Sequence, residues 1–319
     1  MDKSYTFHRD CYPSKDGRSQ VACYFYVPSA FTPRAVVQIS HGMCEYVKRY
    51  EPFAEYLCQK GYVVCGNDHL GHGETAANER ELGYTAKGGG AEYMVEDVYT
   101  LTQKIRAEYQ GLPVILLGHS MGSFIARYYL KKYPNAVEAA IISGTGGPES
   151  PTVLGKALTR CMMLFWGEHH RSNLIKNIVF SGYNKRFADE NSQNSWISRD
   201  KKVVERYSQD PYCRYVFTLR GYYDLFYLLG VVSKKTWPCK LKQDLPILMI
   251  SGDMDPVGNY GKGVKTVYDR MIQAGMRDVV LKLYSGARHE VFNEINRQEV
   301  FSDIENWLEK QKFLCYFAK

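Results

Sequence analysis

A chain of 319 residues can hold one large α/β domain or two smaller ones around a sizeable buried core. Its formal net charge of +7 comes from Lys and Arg scattered without a basic block, which leaves no nucleic-acid footprint. Nine cysteines, an odd number with no C-x-x-C pair, argue against a disulfide framework and for free thiols in a reducing compartment.

The first ten residues are too polar for the apolar core of a secretory signal, and no apolar run approaches the roughly 20 residues of a spanning helix. A soluble, cytoplasmic protein is expected. Residues 4–10 and 20–26 read as two β segments joined across Ser14, Lys15, Asp16 and Gly17, a turn signal that predicts an opening hairpin. Residues 35–40 are an apolar run expected as a buried strand, ending in His41, Gly42 and Met43. A helix follows over 51–60, carrying Phe53, Ala54, Tyr56 and Leu57 and closed by Gly61, and 62–66 is the next strand.

Loop 67–75 carries Asp68, His69, His72 and Glu74, types that ligate metals. No soft ligand at a fixed spacing accompanies them, so a glycine-rich turn with polar side chains satisfying its backbone is the preferred reading, and no metal is expected. Lys87 to Gly90 precede a helix over 91–108 but lack the Gly-Lys-Ser/Thr that opens a Walker helix, so a phosphate loop is not expected either.

Val114, Ile115, Leu116 and Leu117 read as a strand buried on both faces, and 123–132 as a helix. Between them lie Gly118, His119, Ser120, Met121 and Gly122, a G-x-S-x-G pattern. In a strand-turn-helix setting this is a nucleophile elbow: glycine is required where backbone passes close on both sides of the serine. The turn presents the Ser120 hydroxyl above the sheet at the start of a helix, where free N–H groups favour developing negative charge.

After a short strand over 139–143 the strand-helix rhythm breaks. Residues 148–246 show no buried strand, only aromatic-rich segments of helical spacing, expected as a helical cap over the carboxyl edge of the sheet. Glu168, His169 and His170 within it are read as solvated helix surface, not as metal ligands. The stretch 154–166 mixes apolar residues with Lys and Arg, a pattern that suits either an ordinary cap helix or transient docking on a lipid surface. The rhythm resumes with a strand over 246–251, a helix over 261–274, a strand over 279–284 and a terminal helix over 295–313 with Val300, Ile304, Trp307 and Leu308 inward. The expected fold is α/β: a mostly parallel central sheet with helices on both faces, built from 1–147 and 243–319, with 148–242 inserted as the cap.

A serine hydroxyl needs a base within hydrogen-bond reach, itself oriented by a carboxylate. His289, just after the strand over 279–284, is the expected base; His41 and His119 lie too close in sequence to the oxyanion and elbow turns to approach Ser120 from the correct side. The acid is Asp253 or Asp255, both just past a strand end. Asp255 is favoured because Gly252 must first turn the chain, while Asp253 suits hydrogen bonding within the turn. Two preorganised N–H donors are also needed for an oxyanion, and Met121 and Met43 are placed to supply them from the backbone.

Together, Ser40 to Met43 with Glu45, Arg49 and Tyr50, the Asp68 to Gly73 loop, the elbow, Gly252 to Asp255 and Gly286 to His289 resemble one family over essentially the whole chain. It is the monoacylglycerol lipase and lysophospholipase group of α/β-hydrolases, also designated serine aminopeptidase S33; Ser198 to Asp200 and Asp210-Pro211 resemble its bacterial lysophospholipase-like branch. The resemblance implies Ser120, Asp255 and His289 as the triad and the Met43 and Met121 backbones as the oxyanion hole. It also implies Glu45 and Arg49 near a polar headgroup site, and the sequence departs at Tyr46, where that family commonly has His.

The leading expectation is a serine hydrolase that cleaves a carboxylic ester of a small lipid-like substrate, monoacylglycerol or lysophospholipid, through an acyl-enzyme and without a cofactor. An S33-type proline iminopeptidase is the alternative. It would need carboxylates of the cap, among Glu149, Glu168, Asp189, Glu190, Asp200 and Glu205, to hold a free α-amino group. A non-catalytic ligand-binding protein on the same fold would normally have lost a member of the triad, and none is missing here.

Overall fold

The computed structural model describes residues 4–147 and 152–317, with side chains up to residue 314. One eight-stranded sheet runs through it: β1 (Tyr5–Pro13), β2 (Gln20–Pro28), β3 (Ala35–Ser40), β4 (Tyr62–Asn67), β5 (Val114–His119), β6 (Ala139–Ser143), β7 (Ile247–Gly252) and β8 (Val279–Tyr284). Their spatial order is β1-β2-β4-β3-β5-β6-β7-β8. The last six in that order are parallel, whereas the β1–β2 hairpin is antiparallel and joins β4 antiparallel. Both hairpin strands run a few residues further than the sequence suggests, from Tyr5↔Pro28 to Pro13↔Gln20.

The apolar runs are continuous because the sheet is covered on both sides, and strand alternation sorts each residue to one face. In β5, Val114 and Leu116 join one core with Met94, Val98 and Ile125, from the helices α2 (Gly90–Glu108) and α3 (Met121–Lys132). Ile115 and Leu117 join the other with Phe53 and Leu57 of α1 (Glu51–Cys58) and Val300, Ile304 and Leu308 of the terminal helix (Arg297–Glu309). That last helix is shorter than the expected 295–313. Ile295 is exposed, and beyond Glu309 the Gln311 side chain folds back to donate to the Trp307 carbonyl at 2.9 Å, closing the helix there.

Between β6 and β7 the described residues form helices α4 (Thr152–Trp166), α5 (Asn173–Val179), α6 (Lys201–Gln209) and α7 (Leu219–Val232), and no strand. Gly155 lets α4 lie against Phe226 of α7, since a Cβ there would sit 2.7 Å from its ring. Glu168 to His170 fall past the end of α4: Gly167, at φ +77°, turns the chain, so they occupy a turn and not the helix surface expected. Here Glu168 accepts from Tyr84 Oη at 3.0 Å and His169 stacks on the Tyr84 ring. No helix of the described residues is long and apolar enough to cross a membrane.

Candidate active site

The carboxyl ends of β3, β5, β7 and β8 bring four loops to one edge of the sheet. At the end of β5, Ser120 holds φ +53° and ψ −122°, a strained conformation for a residue with a Cβ. The flanking glycines are needed for a steric reason. A Cβ on Gly118 would meet the Gly122 carbonyl and Ala126, and one on Gly122 would fall on the carbonyl oxygens of Ser40 and His41. The elbow therefore packs directly on the end of β3, and the loop after β3 lies beside Ser120.

Ser120 Oγ is 2.8 Å from His289 Nε2, and His289 Nδ1 is 2.9 Å from Asp255 Oδ2. A carboxylate only accepts, so Nδ1 carries the proton and Nε2 is left to accept from the serine hydroxyl. The remaining acceptors of the fully buried Asp255 are filled by Val257 N–H (2.8 Å) and Ser251 Oγ (3.2 Å), which fix its plane. Asp253 points elsewhere: its Oδ1 accepts the Gly286 N–H at 2.7 Å, pinning the turn after β8.

Five histidines are buried here, and their electrostatics differ. Burial opposes the His289 imidazolium, but the Asp255 carboxylate outweighs it and raises the pKa above the usual histidine value. For His41, His69, His72 and His119 no carboxylate outweighs burial, which pushes all four down, His119 and His69 to about 3 and His72 to about 4. Both His41 nitrogens are already engaged, by the Gly42 carbonyl at 2.8 Å and the His69 N–H at 2.9 Å.

Loop 67–75 is held by its own backbone and by β2 and the loop after β3. Buried Asp68 accepts from Val47 N–H, Glu74 N–H and Tyr24 Oη at 2.8–2.9 Å, and burial raises its pKa to about 6. No cluster of the described residues is arranged to hold a metal ion.

Met121 opens α3, where the first amides have no partner within the helix, and Met43 lies in the loop after β3. Both line a cavity of about 310 Å³ that has Ser120 and His289 at its floor. Its walls are mostly apolar, from Phe124, Ile178, Phe180, Trp196, Leu225 and Phe226 among others. Trp196 was only one aromatic among many in the sequence; its ring lies 5.0 Å from that of His289. The 195–199 segment is fastened to the loop after β8, since Trp196 and Ile197 carbonyls accept the His289 and Glu290 N–H groups and Arg199 pairs with buried Glu294.

Glu45 reaches the cavity wall, while Arg49 stands behind it. Glu45 Oε1 accepts from the Gly42 N–H and from Tyr50 Oη, and its Oε2 from Arg49 at 3.0 Å. Arg49 in turn pairs through both terminal nitrogens with Glu290, each at 2.7 Å. Burial pushes the Glu45 carboxyl up, Arg49 draws it back and the neighbouring Glu290 pushes it up again, leaving it raised. For Glu290, burial is outweighed by Arg49 and the pKa is lowered. Glu290 has no motif of its own in the sequence; its place next to His289 was the only signal.

None of the described carboxylates between β6 and β7 lines the cavity. Glu190 pairs with Arg288, Asp200 caps α6 through the Lys202 N–H, Glu205 meets Gln209, and Asp189 is exposed; Glu149 lies outside the described residues.

A family model described as serine aminopeptidase, S33, matches residues 32–296. The monoacylglycerol lipase of Mycolicibacterium smegmatis is 29% identical over 280 residues, covering 86% of this chain and 88% of that protein. The Homo sapiens monoglyceride lipase is 28% identical over 297 residues, covering 91% and 86% respectively. Among solved structures, a highly thermostable carboxyl esterase from Bacillus coagulans in complex with glycerol superposes with a TM-score of 0.89 at 29% identity, over 95% of this chain and 98% of that one.

Proposed function

The chain belongs to the serine aminopeptidase S33 family of α/β-hydrolases, and from that premise we propose that it hydrolyses carboxylic esters of lipid-like substrates, monoacylglycerol ahead of lysophospholipid. The observation that carries this reading is the hydrogen-bonded series Ser120–His289–Asp255 at the floor of an apolar cavity.

In the proposed reaction the Ser120 oxygen attacks the ester carbonyl while its proton passes to His289 Nε2. Asp255 stabilises the imidazolium, and the Met43 and Met121 N–H groups hold the carbonyl oxygen as it becomes an oxyanion. The tetrahedral intermediate collapses, His289 gives its proton to the departing alcohol oxygen, and the acyl group stays on Ser120. Water, deprotonated by His289, then repeats the sequence and releases the acid.

The apolar walls suit an acyl chain. The described lining contains Glu45 and Glu290 but no Lys or Arg, so a phosphate headgroup would meet carboxylates without a cation, whereas glycerol hydroxyls would not be repelled. The same lining disfavours the iminopeptidase, because none of the described carboxylates expected to hold its α-amino group lines the cavity. Residues 148–242 are read as a cap that shapes the cavity's outer wall and carries an apolar face for a lipid surface.

The test is a p-nitrophenyl ester series from acetate to palmitate, beside a monoacylglycerol, a lysophosphatidylcholine and proline p-nitroanilide, with wild type and Ser120→Ala. Ester and monoacylglycerol turnover with a chain-length optimum, abolished in the variant, is expected. Hydrolysis of the anilide alone, or residual turnover in Ser120→Ala at the wild-type rate, would overturn the reading.

A further inference from the structure

The loop bearing Met43 follows β3 and the loop bearing His289 follows β8, and in the sheet order the elbow strand β5 lies between them. One buried group of side chains crosses that gap. Glu45 accepts the Gly42 N–H, which belongs to the peptide immediately before the one carrying the Met43 N–H. A Cβ on Gly42 would lie 2.6 Å from Glu45 Oε1 and 2.9 Å from Ser120 Cβ, so this peptide is threaded between the carboxylate and the elbow. Arg49 then joins Glu45 to Glu290, the neighbour of His289, and Asn293 Nδ2 completes the acceptors of Glu290 at 2.9 Å. The guanidinium also faces the Tyr207 ring of α6 at 5.0 Å, which brings the inserted segment into the same group.

Resting on the oxyanion reading above, we propose that Glu45, Arg49 and Glu290 are a positioning clamp. It sets the Met43 N–H and the His289 ring at their mutual distance across the elbow, with Glu45 orienting the oxyanion loop instead of contacting the headgroup. The acceptors of Glu45 are taken by groups of the protein, which suits a carboxylate that orders a loop. Its location in low dielectric strengthens each of these bonds and makes the loss of any one costly.

The experiment compares wild type, Glu45→Ala and Glu45→Gln in two assays. One is the second-order rate at which an alkyl fluorophosphonate modifies Ser120, a reaction that needs the serine, the base and the oxyanion donors but no particular headgroup. The other is the division between kcat and KM for a monoacylglycerol. Glu45→Ala is expected to slow phosphonylation and kcat by about 10- to 100-fold, somewhat less than removal of an oxyanion donor itself. Its KM should stay within about threefold, and Glu45→Gln, which keeps an acceptor for the Gly42 N–H, should recover part of the loss.

Unchanged phosphonylation in Glu45→Ala, or a raised KM with kcat intact, overturns the clamp and returns Glu45 to the headgroup site. If Glu45→Ala does not fold, Glu45→Gln decides: a slowed phosphonylation with KM unchanged supports the clamp, and a wild-type rate overturns it. A wild type that is phosphonylated but hydrolyses no ester defeats the proposed substrate and leaves the phosphonylation comparison to judge the clamp.

Discussion

The sheet edge and the inserted segment solve opposite problems. At the sheet edge the carboxylates are buried and well bonded: Asp255, Asp68 and Glu45 each hold several donors, and Ser120, Asp255 and His289 are fixed by the loops that leave the parallel strands β5, β7 and β8. Between β6 and β7, α4 leaves Leu164, Phe165 and Trp166 between 58% and 81% exposed. Residues 148–242 hold sixteen Lys and Arg against eight Asp and Glu, so this segment carries +8 and the remainder of the chain −1. Hydrogen-bonded order is concentrated around Ser120, and net positive charge and apolar exposure in the residues between β6 and β7.

The largest effects should come from breaking the sheet-edge side of that contrast. Ser120→Ala is expected to lower kcat for an ester on the order of 10⁵-fold while leaving the circular dichroism spectrum unchanged. Asp255→Asn should cost on the order of 10³- to 10⁴-fold, because an amide at that place no longer holds the Nδ1–H tautomer, whereas Asp253→Asn keeps an acceptor for the Gly286 N–H and should lose less than about tenfold. The same bond sets the pH profile. His289 must be neutral to take the serine proton and Asp255 raises its pKa, so kcat/KM should climb with pH through a midpoint above about 6.5. A midpoint below that value in wild type would show that Asp255 does not act on His289 as described.

Arg49→Met should be less damaging to folding than a lost core but still severe, about 3–5 kcal/mol by urea denaturation near neutral pH, since it strands two buried carboxylates. Glu290 is held below the ordinary carboxylate range by Arg49, so its contribution is complete above about pH 5 and fades as pH falls through its folded value. The stability gap between variant and wild type should therefore narrow in acid. A constant gap would assign the loss to packing of the guanidinium.

Much of the sheet edge was legible in sequence because it is built from local rules. The continuous apolar run of β5 and the two glycines around Ser120 are each read within a few residues, and Asp255 is preferred over Asp253 from the turn at Gly252, whereas the Ser, Asp, His order is a pattern of the whole chain read from the strand ends it follows. Arg49–Glu290, the Trp196 carbonyl on His289 and Arg199–Glu294 join segments about 95 to 240 positions apart, and no spacing rule encodes such pairings. Glu168 to His170 leave the expected helix for a related reason: Gly167 ends α4, and the stack of His169 on Tyr84 that holds the turn comes from a distant loop. The charge asymmetry was present in the sequence all along, but the basic residues are interleaved with acids and show no block until they are counted by region.

The smallest effect on chemistry, and the sharpest test of the insertion, comes from its exposed face. Replacing Leu164, Phe165 and Trp166 together by Ser removes three large exposed apolar side chains that lie away from Ser120, so kcat and KM for a short soluble ester should stay within about twofold. Binding to anionic vesicles should nevertheless weaken, because the basic segment alone gives an attraction that salt screens within about 10 Å, while apolar insertion is needed to hold the protein once it arrives. Co-sedimentation with phosphatidylserine vesicles at low salt separates the two contributions. Wild type should pellet and lose part of its binding on raising the salt, and the triple variant should pellet less at every salt concentration. If wild type stays in the supernatant at low salt, the exposed face is not a lipid contact, and the difference between the two regions must be sought in how the insertion admits substrate to the cavity.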